Sequence, residues 1–539
     1  MTQLLLLTLC ADLVLRNGNI ATLDAAKPRA EAIAITAGKI VAVGTNAEIA
    51  RQIDAKTRVI DLHGHLAIPG FIEGHGHFMG VGEAKLQLNL RDVKSWDQIV
   101  AMVAAAAKEA KPGEWIVGRG WHQEKWDAKP QPNVNGFPVN TTLNAVSPNN
   151  PVLLEHASGH AAFVNDAALK TAGITPDTPN PPGGEITKDA SGRPIGLLNE
   201  RAQGLVHVVR DGQQERAIDL AAEECVQKGI TSFEDAGSNL DVIARLKHRA
   251  ETGTLPLRMW VMLRVPNDVI AAQAARVRMI GYGDNHLTVR AIKKQIDGAL
   301  GSRGAWLLEP YSDLPSTSGL ATETPEEIMR TARLALANDY QLCVHAIGDR
   351  ANREVLNVYE KALDGRRDLR WRIEHAQHID PADIPRFAQL GVFAAMQGIH
   401  CTSDAGMVLP RLGAMRAEEG AYVWQSLMKS GAHVGDGTDA PVEDVSPIAC
   451  YYASVTRKTK SGQVFYPAQK MSRMEALRSY TVENAYGAFE ENIKGTLKVG
   501  MLGDVTVLSK DILTVSDDDI LKTEVEFTIV GGKVVYEKK

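Results

Sequence analysis

Short apolar runs alternate with amphipathic segments through the middle of the chain. Segments such as 219–228 and 352–363 carry apolar residues at helical spacing. Strands that alternate with helices are typical of a parallel sheet, and eight units predict a (β/α)8 TIM barrel with its active site at the carboxyl ends of the strands. The eight predicted strands are 68–78, 231–236, 257–263, 287–297, 341–347, 370–376, 392–397 and 433–439.

Both ends of the chain have a strand-like texture instead. Alternating apolar residues and Asn17-Gly18 or Ala37-Gly38 turns fill residues 11–66, and a similar pattern returns over 503–536. Because the termini of a domain usually lie close together, we predict one β-sandwich formed by residues 11–67 and 490–539. The barrel domain is then expected to cover residues 68–489.

A long insertion separates the first two predicted strands. It covers about residues 80–215, far more than a barrel connection needs, and we predict an inserted α+β subdomain. It holds three of the eight tryptophans within Trp115–Trp126, and it holds the segment Leu153-Leu-Glu-His-Ala-Ser-Gly-His160. Two interpretations stay open: a cap over the barrel mouth, or a small subdomain with buried tryptophans and a structural histidine.

The composition of the chain argues against several classes of protein. With 539 residues, 44% hydrophobic and 23% charged, the chain is expected to be globular, and a net charge of −6 without a long Lys/Arg cluster argues against nucleic acid as a partner. Five scattered cysteines indicate neither a disulfide framework nor a thiolate zinc site. No apolar run reaches the roughly 20 residues of a membrane span. Whether the chain forms a homodimer stays open.

The first eleven residues resemble the apolar core of a secretory signal, but no basic residue precedes it. We expect a cytoplasmic protein, and export through a truncated or atypical signal stays open.

Histidines and an aspartate fall at the ends of several predicted strands. His75 and His77 end the first strand, and the two-residue period of a strand puts them on one face. His345, His375 and Asp439 end the fifth, sixth and eighth strands. Neutral imidazoles and carboxylates suit zinc and similar divalent ions, so the sequence predicts a metal site at the barrel mouth.

A competing pair, His63 and His65, has the same spacing. It precedes the barrel, so no barrel strand carries it to the mouth.

Several segments resemble the metal-dependent amidohydrolase superfamily. They are Pro69-Gly-Phe-Ile-Glu-Gly-His-Gly-His77, His345-Ala-Ile-Gly-Asp-Arg-Ala and Arg372-Ile-Glu-His-Ala-Gln, together with Asp439. Pro182-Gly-Gly-Glu185, Ser158-Gly-His160 and Asp297-Gly-Ala-Leu-Gly-Ser-Arg303 are similar to the branch that contains N-substituted formamide deformylases. The likeness covers nearly the whole chain.

This resemblance implies one or two divalent ions, most commonly Zn2+, with a carboxylated Lys293 as the bridging ligand. The implied ligands are His75, His77, Lys293, His345, His375 and Asp439. Glu73 departs from the family pattern, which usually has aspartate there, and Lys294 directly follows Lys293, so the identity of the bridging lysine stays open.

The strand period favours Lys293 as the bridging residue. Lys293 shares a strand face with polar Gln295, whereas Lys294 shares one with Ile292 and Ile296.

The expected activity is hydrolysis of a non-peptide amide C–N bond in a small molecule, such as an N-substituted formamide or an N-acyl amine. A divalent ion lowers the pKa of its water from about 15.7 to roughly 7, which supplies hydroxide. Asp439 is the expected catalytic base and then acid. Trp121, His122, His160 and Arg303 are candidate substrate contacts. The alternatives are a cyclic-amide, carbamate or ester hydrolase, and a non-catalytic scaffold.

Overall fold

The computed structural model describes residues 10–208 and 212–539, so nearly all of the signal-like segment lies outside the described residues. Eight parallel strands lie side by side in chain order, and a short strand, Met279–Gly281, pairs with the fourth. The backbone N–H of Asp439 donates to the carbonyl of His75 at 2.7 Å, which brings the eighth strand back to the first. The predicted (β/α)8 barrel is confirmed. Strands β1 to β8 are Phe71–Gly76, Ile230–Ser238, Arg258–Leu263, Leu287–Gln295, Gln341–Ala346, Arg372–His375, Phe393–Met396 and Val434–Asp436.

Helices pack around this sheet with one apolar face buried. Pro325–Ala337 shows why: Thr324 and Glu327 form a capping box at its start, and Ile328, Ala332 and Ala335 are buried at helical spacing. The other helices after the insertion are Gln214–Gln227, Leu240–Glu251, Asn267–Val277, Tyr282–Asn285, Asp349–Leu363, Ile384–Leu390, Gly398–Leu412, Ala414–Gly420, Trp424–Lys429, Pro447–Thr456, Arg473–Arg478, Asn484–Gly487 and Asp517–Ile520.

Strand β4 has two different faces. Ala291 lies in the interior of the barrel in one apolar cluster with Trp260, Met262 and Cys343. Ile292 belongs to the larger core that also contains the helix residues. Since side chains alternate along a strand, Lys293 continues the inward face and Lys294 the outward face.

Strands from both ends of the chain form two further sheets. Leu66–Pro69 pairs antiparallel with Val505–Leu508, and apolar residues of both sheets share one buried cluster. The four-stranded sheet holds Leu13–Arg16, Ala32–Thr36, Lys39–Gly44 and Arg58–Asp61. The six-stranded sheet holds Asn19–Ala21, Arg29–Ala30, Leu66–Pro69, Val505–Leu508, Val525–Val530 and Lys533–Glu537. The predicted domain bounds stay a prediction.

The segment between β1 and β2 contains its own mixed sheet and helices. Its core is rich in aromatic residues, with Trp96, Trp121, Trp126 and Phe163 in one cluster. The sheet strands are Leu88–Asn89, Ile116–Trp121, Val152–His156, Ala161–Val164, Gly184–Lys188 and Pro194–Glu200, beside a small hairpin of Asn133–Val134 and Phe137–Pro138. The helices are Phe78–Glu83, Trp96–Glu109, Thr141–Val146 and Asp166–Thr171, and Asn46–Ile49 precedes them. None of the helices in the described ranges could span a bilayer.

Candidate metal centre

Four histidines and an aspartate meet at the carboxyl ends of the barrel strands. The imidazole ring of His375 lies 4.7 Å from that of His75 and 4.5 Å from that of His345, measured between ring centres. Oδ1 of Asp439 lies 3.2 Å from Nε2 of His77 and 3.5 Å from Nε2 of His75. The structure therefore brings together all five residues that the sequence placed at strand ends.

The free atoms of this cluster fit a divalent ion. Nε2 of His75, Nε2 of His345 and Oδ1 of Asp439 are buried and lack a hydrogen-bond partner among the described residues. Such atoms are costly to bury unless something pairs with them. One possible ligand atom from each of His75, His375 and Asp439 lies within 4.8 Å of the others. Imidazole nitrogens and a carboxylate are a donor set that suits zinc.

Buried side chains orient two of these histidines. Nδ1 of His75 faces Glu374, and Nδ1 of His375 lies 2.7 Å from Oε1 of Gln397. With Nδ1 occupied in this way, Nε2 of each ring is directed to the centre. Arg372 in turn donates to Glu374 at 2.7 Å.

The electrostatics of the cluster favour metal-binding forms. Burial, together with the charge of Lys293, lowers the pKa of His75 to about 4, so the imidazole is neutral at pH 7. Burial disfavours the charge on Asp439, yet the neighbouring His77, His375 and His75 hold its pKa well below the ordinary value. Neutral imidazoles and an ionised carboxylate are the ligand forms.

The two adjacent lysines have different surroundings. Lys293 is buried and lines a cavity of about 390 Å3, which we call the main cavity. His77, His345 and Asp439 line the same cavity. Burial is the main cause that lowers the pKa of Lys293 to about 8. Nζ of Lys294 lies 3.7 Å from Oε2 of Glu323 and 3.5 Å from the carbonyl of Val265. The structure places Lys293 at the cluster and Lys294 on the other side of the strand.

The insertion supplies part of the cavity wall. His160 Nδ1 lies 2.9 Å from Oε2 of Glu200, and the His160 ring lies 5.0 Å from that of His345. A second cavity of about 50 Å3 adjoins the first and is lined by His122, His156, His160, Leu300, His400 and Met407, among others. His122 and His160 therefore reach cavities, as expected of candidate substrate contacts.

Trp121 and Arg303 line neither of these two cavities, and we revise their expected role. Trp121 is fully buried, and its indole N–H donates to the carbonyl of Leu154 at 2.8 Å within the core of the insertion. Arg303 Nη2 lies 3.0 Å from Oδ2 of Asp313, so its charge is paired. Their roles in the described structure are packing and ion pairing.

The sequence reasoning missed His400. Its buried Nε2 lies 3.9 Å from Oδ2 of Asp439, and its ring is parallel to that of His375 at 6.2 Å. The signal was present, since Gln397-Gly-Ile-His400 directly follows the seventh strand. Glu374 and Gln397 gave no such signal, because their partners lie on other strands.

A barrel with these groups at its mouth defines a class of enzymes that act through a divalent ion. The model of the amidohydrolase family matches residues 58–536, and the chain belongs to that family. The family resemblance read from the sequence is confirmed.

Relatives match along almost the full length. Protein LONG AFTER FAR-RED 3 of Arabidopsis thaliana is 33% identical over 98% of this chain and 92% of its own. N-substituted formamide deformylase of Arthrobacter pascens is 27% identical over 99% of both chains. The crystal structure of an uncharacterized metal-dependent hydrolase from Pyrococcus horikoshii has a TM-score of 0.76 and 26% identity, and the match covers 94% of this chain and 99% of that one.

Proposed function

We propose that this protein is a metal-dependent hydrolase that cleaves a non-peptide amide C–N bond in a small molecule, of the N-substituted formamide or N-acyl amine type. The observation that carries the proposal is the set of buried ligand atoms on His75, His345 and Asp439 that have no hydrogen-bond partner in the described part of the chain. The activity named for the Arthrobacter relative supports the amide substrate, and the Pyrococcus structure supports metal dependence.

The residues that would hold one or two Zn2+ ions are His75, His77, His345, His375 and Asp439, with a carboxylated Lys293 as the bridge. A bound divalent ion supplies Lewis-acid polarisation of the substrate carbonyl and lowers the pKa of water.

The protein's own residues carry the proton. Asp439 takes a proton from the attacking water and returns it to the leaving nitrogen, because a single carboxylate can act as base and then as acid. Glu374 and Gln397 keep the rings of His75 and His375 in one orientation throughout. His160, fixed at Nδ1 by Glu200, presents its other nitrogen to the substrate in the main cavity.

We further propose that the insertion acts as a cap. Excluding bulk water from the site strengthens every electrostatic interaction inside it. Residues 11–67 and 490–539 would form a separate β-sandwich domain, and the apolar cluster shared by the two terminal sheets supports this division.

The proposal is tested by removing and restoring metal. Protein treated with a chelator is reloaded with Zn2+ and assayed against formanilides, N-acyl amino acids, carbamates and aryl esters, while metal content is measured. We expect no activity without metal, recovery with Zn2+, and close to two ions per chain if the lysine bridge forms. Full activity in metal-free protein would contradict metal dependence, and a preference for carbamates or esters would move the substrate class to the alternatives.

A further inference from the structure

One arginine in the wall of the main cavity has no carboxylate within ion-pair distance among the described residues. Arg119 lies 2.6 Å from Glu155, and Arg201 lies 3.8 Å from Glu323. Arg264 also lines this cavity, yet it forms no ion pair with any residue of the ranges 10–208 and 212–539. Its guanidinium donates to Oε1 of Gln295 at 3.0 Å, a neutral partner. Its positive charge therefore remains available to a ligand.

The barrel positions the backbone and the stem of Arg264, whose side chain is exposed. Arg264 directly follows β3, and its backbone N–H donates to the carbonyl of Ser238 at the end of β2 at 2.9 Å. Gly237, with φ of +130°, leaves room for its stem: a Cβ there would lie 2.8 Å from Cδ of Arg264 and 3.3 Å from Cγ of Lys293. Gln295, which accepts from the guanidinium, ends β4. Arg264 is thus held beside Lys293 by three neighbouring strand ends.

The groove that adjoins Arg264 carries charges of both signs. This open groove of about 520 Å3 continues the main cavity, and its charged lining residues are Arg201, Arg264, Asp268, Lys293, Lys294, Glu323, Glu327 and Arg330. Glu323 lies 3.7 Å from Lys294 and 3.8 Å from Arg201, and its charge acts on Arg264 only from beyond ion-pair distance.

We propose that Arg264 binds a carboxylate carried by the substrate, so that the amide cleaved at the metal centre is an acidic one, such as an N-acyl amino acid. This inference rests on the proposed function. The planar fork of a guanidinium matches a carboxylate through two parallel hydrogen bonds, which gives both affinity and orientation. The acid group would lie toward β3 and β4, and the amide would lie over Asp439.

The experiment separates binding from turnover. The probes are racemic N-formylleucine and racemic N-formylleucinamide, which have the same shape but differ in charge. Binding is measured by calorimetry on zinc-loaded Asp439→Asn protein, with and without Arg264→Gln. Arg303→Gln is the matched control, because that guanidinium is already paired with Asp313.

With Arg264 present, the acid probe should bind about tenfold or more tightly than the amide probe, the effect of a gain of roughly 1.4 kcal/mol. Arg264→Gln should remove this preference, whereas Arg303→Gln should keep it. Added salt should weaken binding of the acid probe alone.

Equal binding of both probes to protein with Arg264, or a preference that survives Arg264→Gln, would overturn the assignment. An equal loss of affinity for both probes in Arg264→Gln, together with loss of metal, would also overturn the assignment. Arg264 would then act through Lys293. If zinc-loaded native protein hydrolyses no amide but still prefers the acid probe, the proposed function fails and the carboxylate site stands. If zinc-loaded native protein hydrolyses neutral and acidic amides equally well, the proposed function stands and the carboxylate site fails.

Discussion

Glu374 faces Nδ1 of His75 from inside the barrel, and both side chains are completely buried. Burial opposes the charge on Glu374, but Arg372 and His75 hold the pKa of its carboxyl well below the ordinary value. An ionised carboxylate at this point selects the histidine form whose proton is on Nδ1. The lone pair of Nε2 is then free for a metal.

Replacing Glu374 with glutamine should weaken metal binding by about 10- to 100-fold, the usual effect of losing a partner that orients a ligand histidine. Competition with a chelator of known affinity measures this change. Glu360→Gln is the control, because Glu360 is 60% exposed and pairs with Arg386 on the surface. An unchanged metal affinity in Glu374→Gln would show that the orientation of His75 is fixed by something else.

Asp439→Asn should retain much of the bound metal, because four histidines and Lys293 remain in place. Turnover should fall by about 10²- to 10⁴-fold, the range of a general acid–base contribution. Steady-state rates and elemental analysis of the same samples test both parts. A smaller loss with an unchanged pH profile would assign Asp439 a structural role.

Lys293→Ala should lose the second ion and nearly all activity, with partial rescue by a short carboxylic acid that occupies the vacated bridge. Lys294→Ala should keep both ions and most of the rate, because Lys294 points to Glu323 and the open groove. The number of bound ions and the rate of hydrolysis, measured for both variants, test this prediction. Two ions and full activity in Lys293→Ala would mean that Lys293 is no bridging ligand.

Arg372→Met should destabilise the fold by about 3–5 kcal/mol, because it leaves Glu234 and Glu374 buried without their cation. Urea denaturation followed by tryptophan fluorescence measures the loss. Arg366→Met serves as the comparison, since the Arg366–Asp368 pair is largely exposed and such pairs contribute about 1 kcal/mol or less. Similar losses in both variants would show that the buried network is not a stabilising element of the fold.

The strands and the cluster were readable from the sequence for a shared reason. A parallel strand is covered on both faces, so it appears as a continuous apolar run, and the polar residue at its end stands out. His345 and His375 were found in this way. For strand β4 the sequence predicts residues 287–297, and the structure has Leu287–Gln295.

The partners of those residues could not be read in this way. Glu374 supports His75 across the barrel, and the pairing depends on where distant strands come together. Trp121 and His122 are neighbours in sequence, yet one packs into the insertion's core and the other reaches a cavity. The pairing of Arg303 with Asp313 depends on the path of a loop, which local sequence patterns do not define.

The pairing of Leu66–Pro69 with Val505–Leu508 also sets the order in which the chain can fold during its synthesis on the ribosome. The early strand emerges with one edge unpaired, and its partner arrives only after the barrel and the insertion have been translated, which takes on the order of tens of seconds at synthesis rates of about 5–20 residues per second. During that interval the edge is open to pairing with other chains. A nascent chain that stalls late, with its barrel complete, would therefore still be a substrate for chaperones.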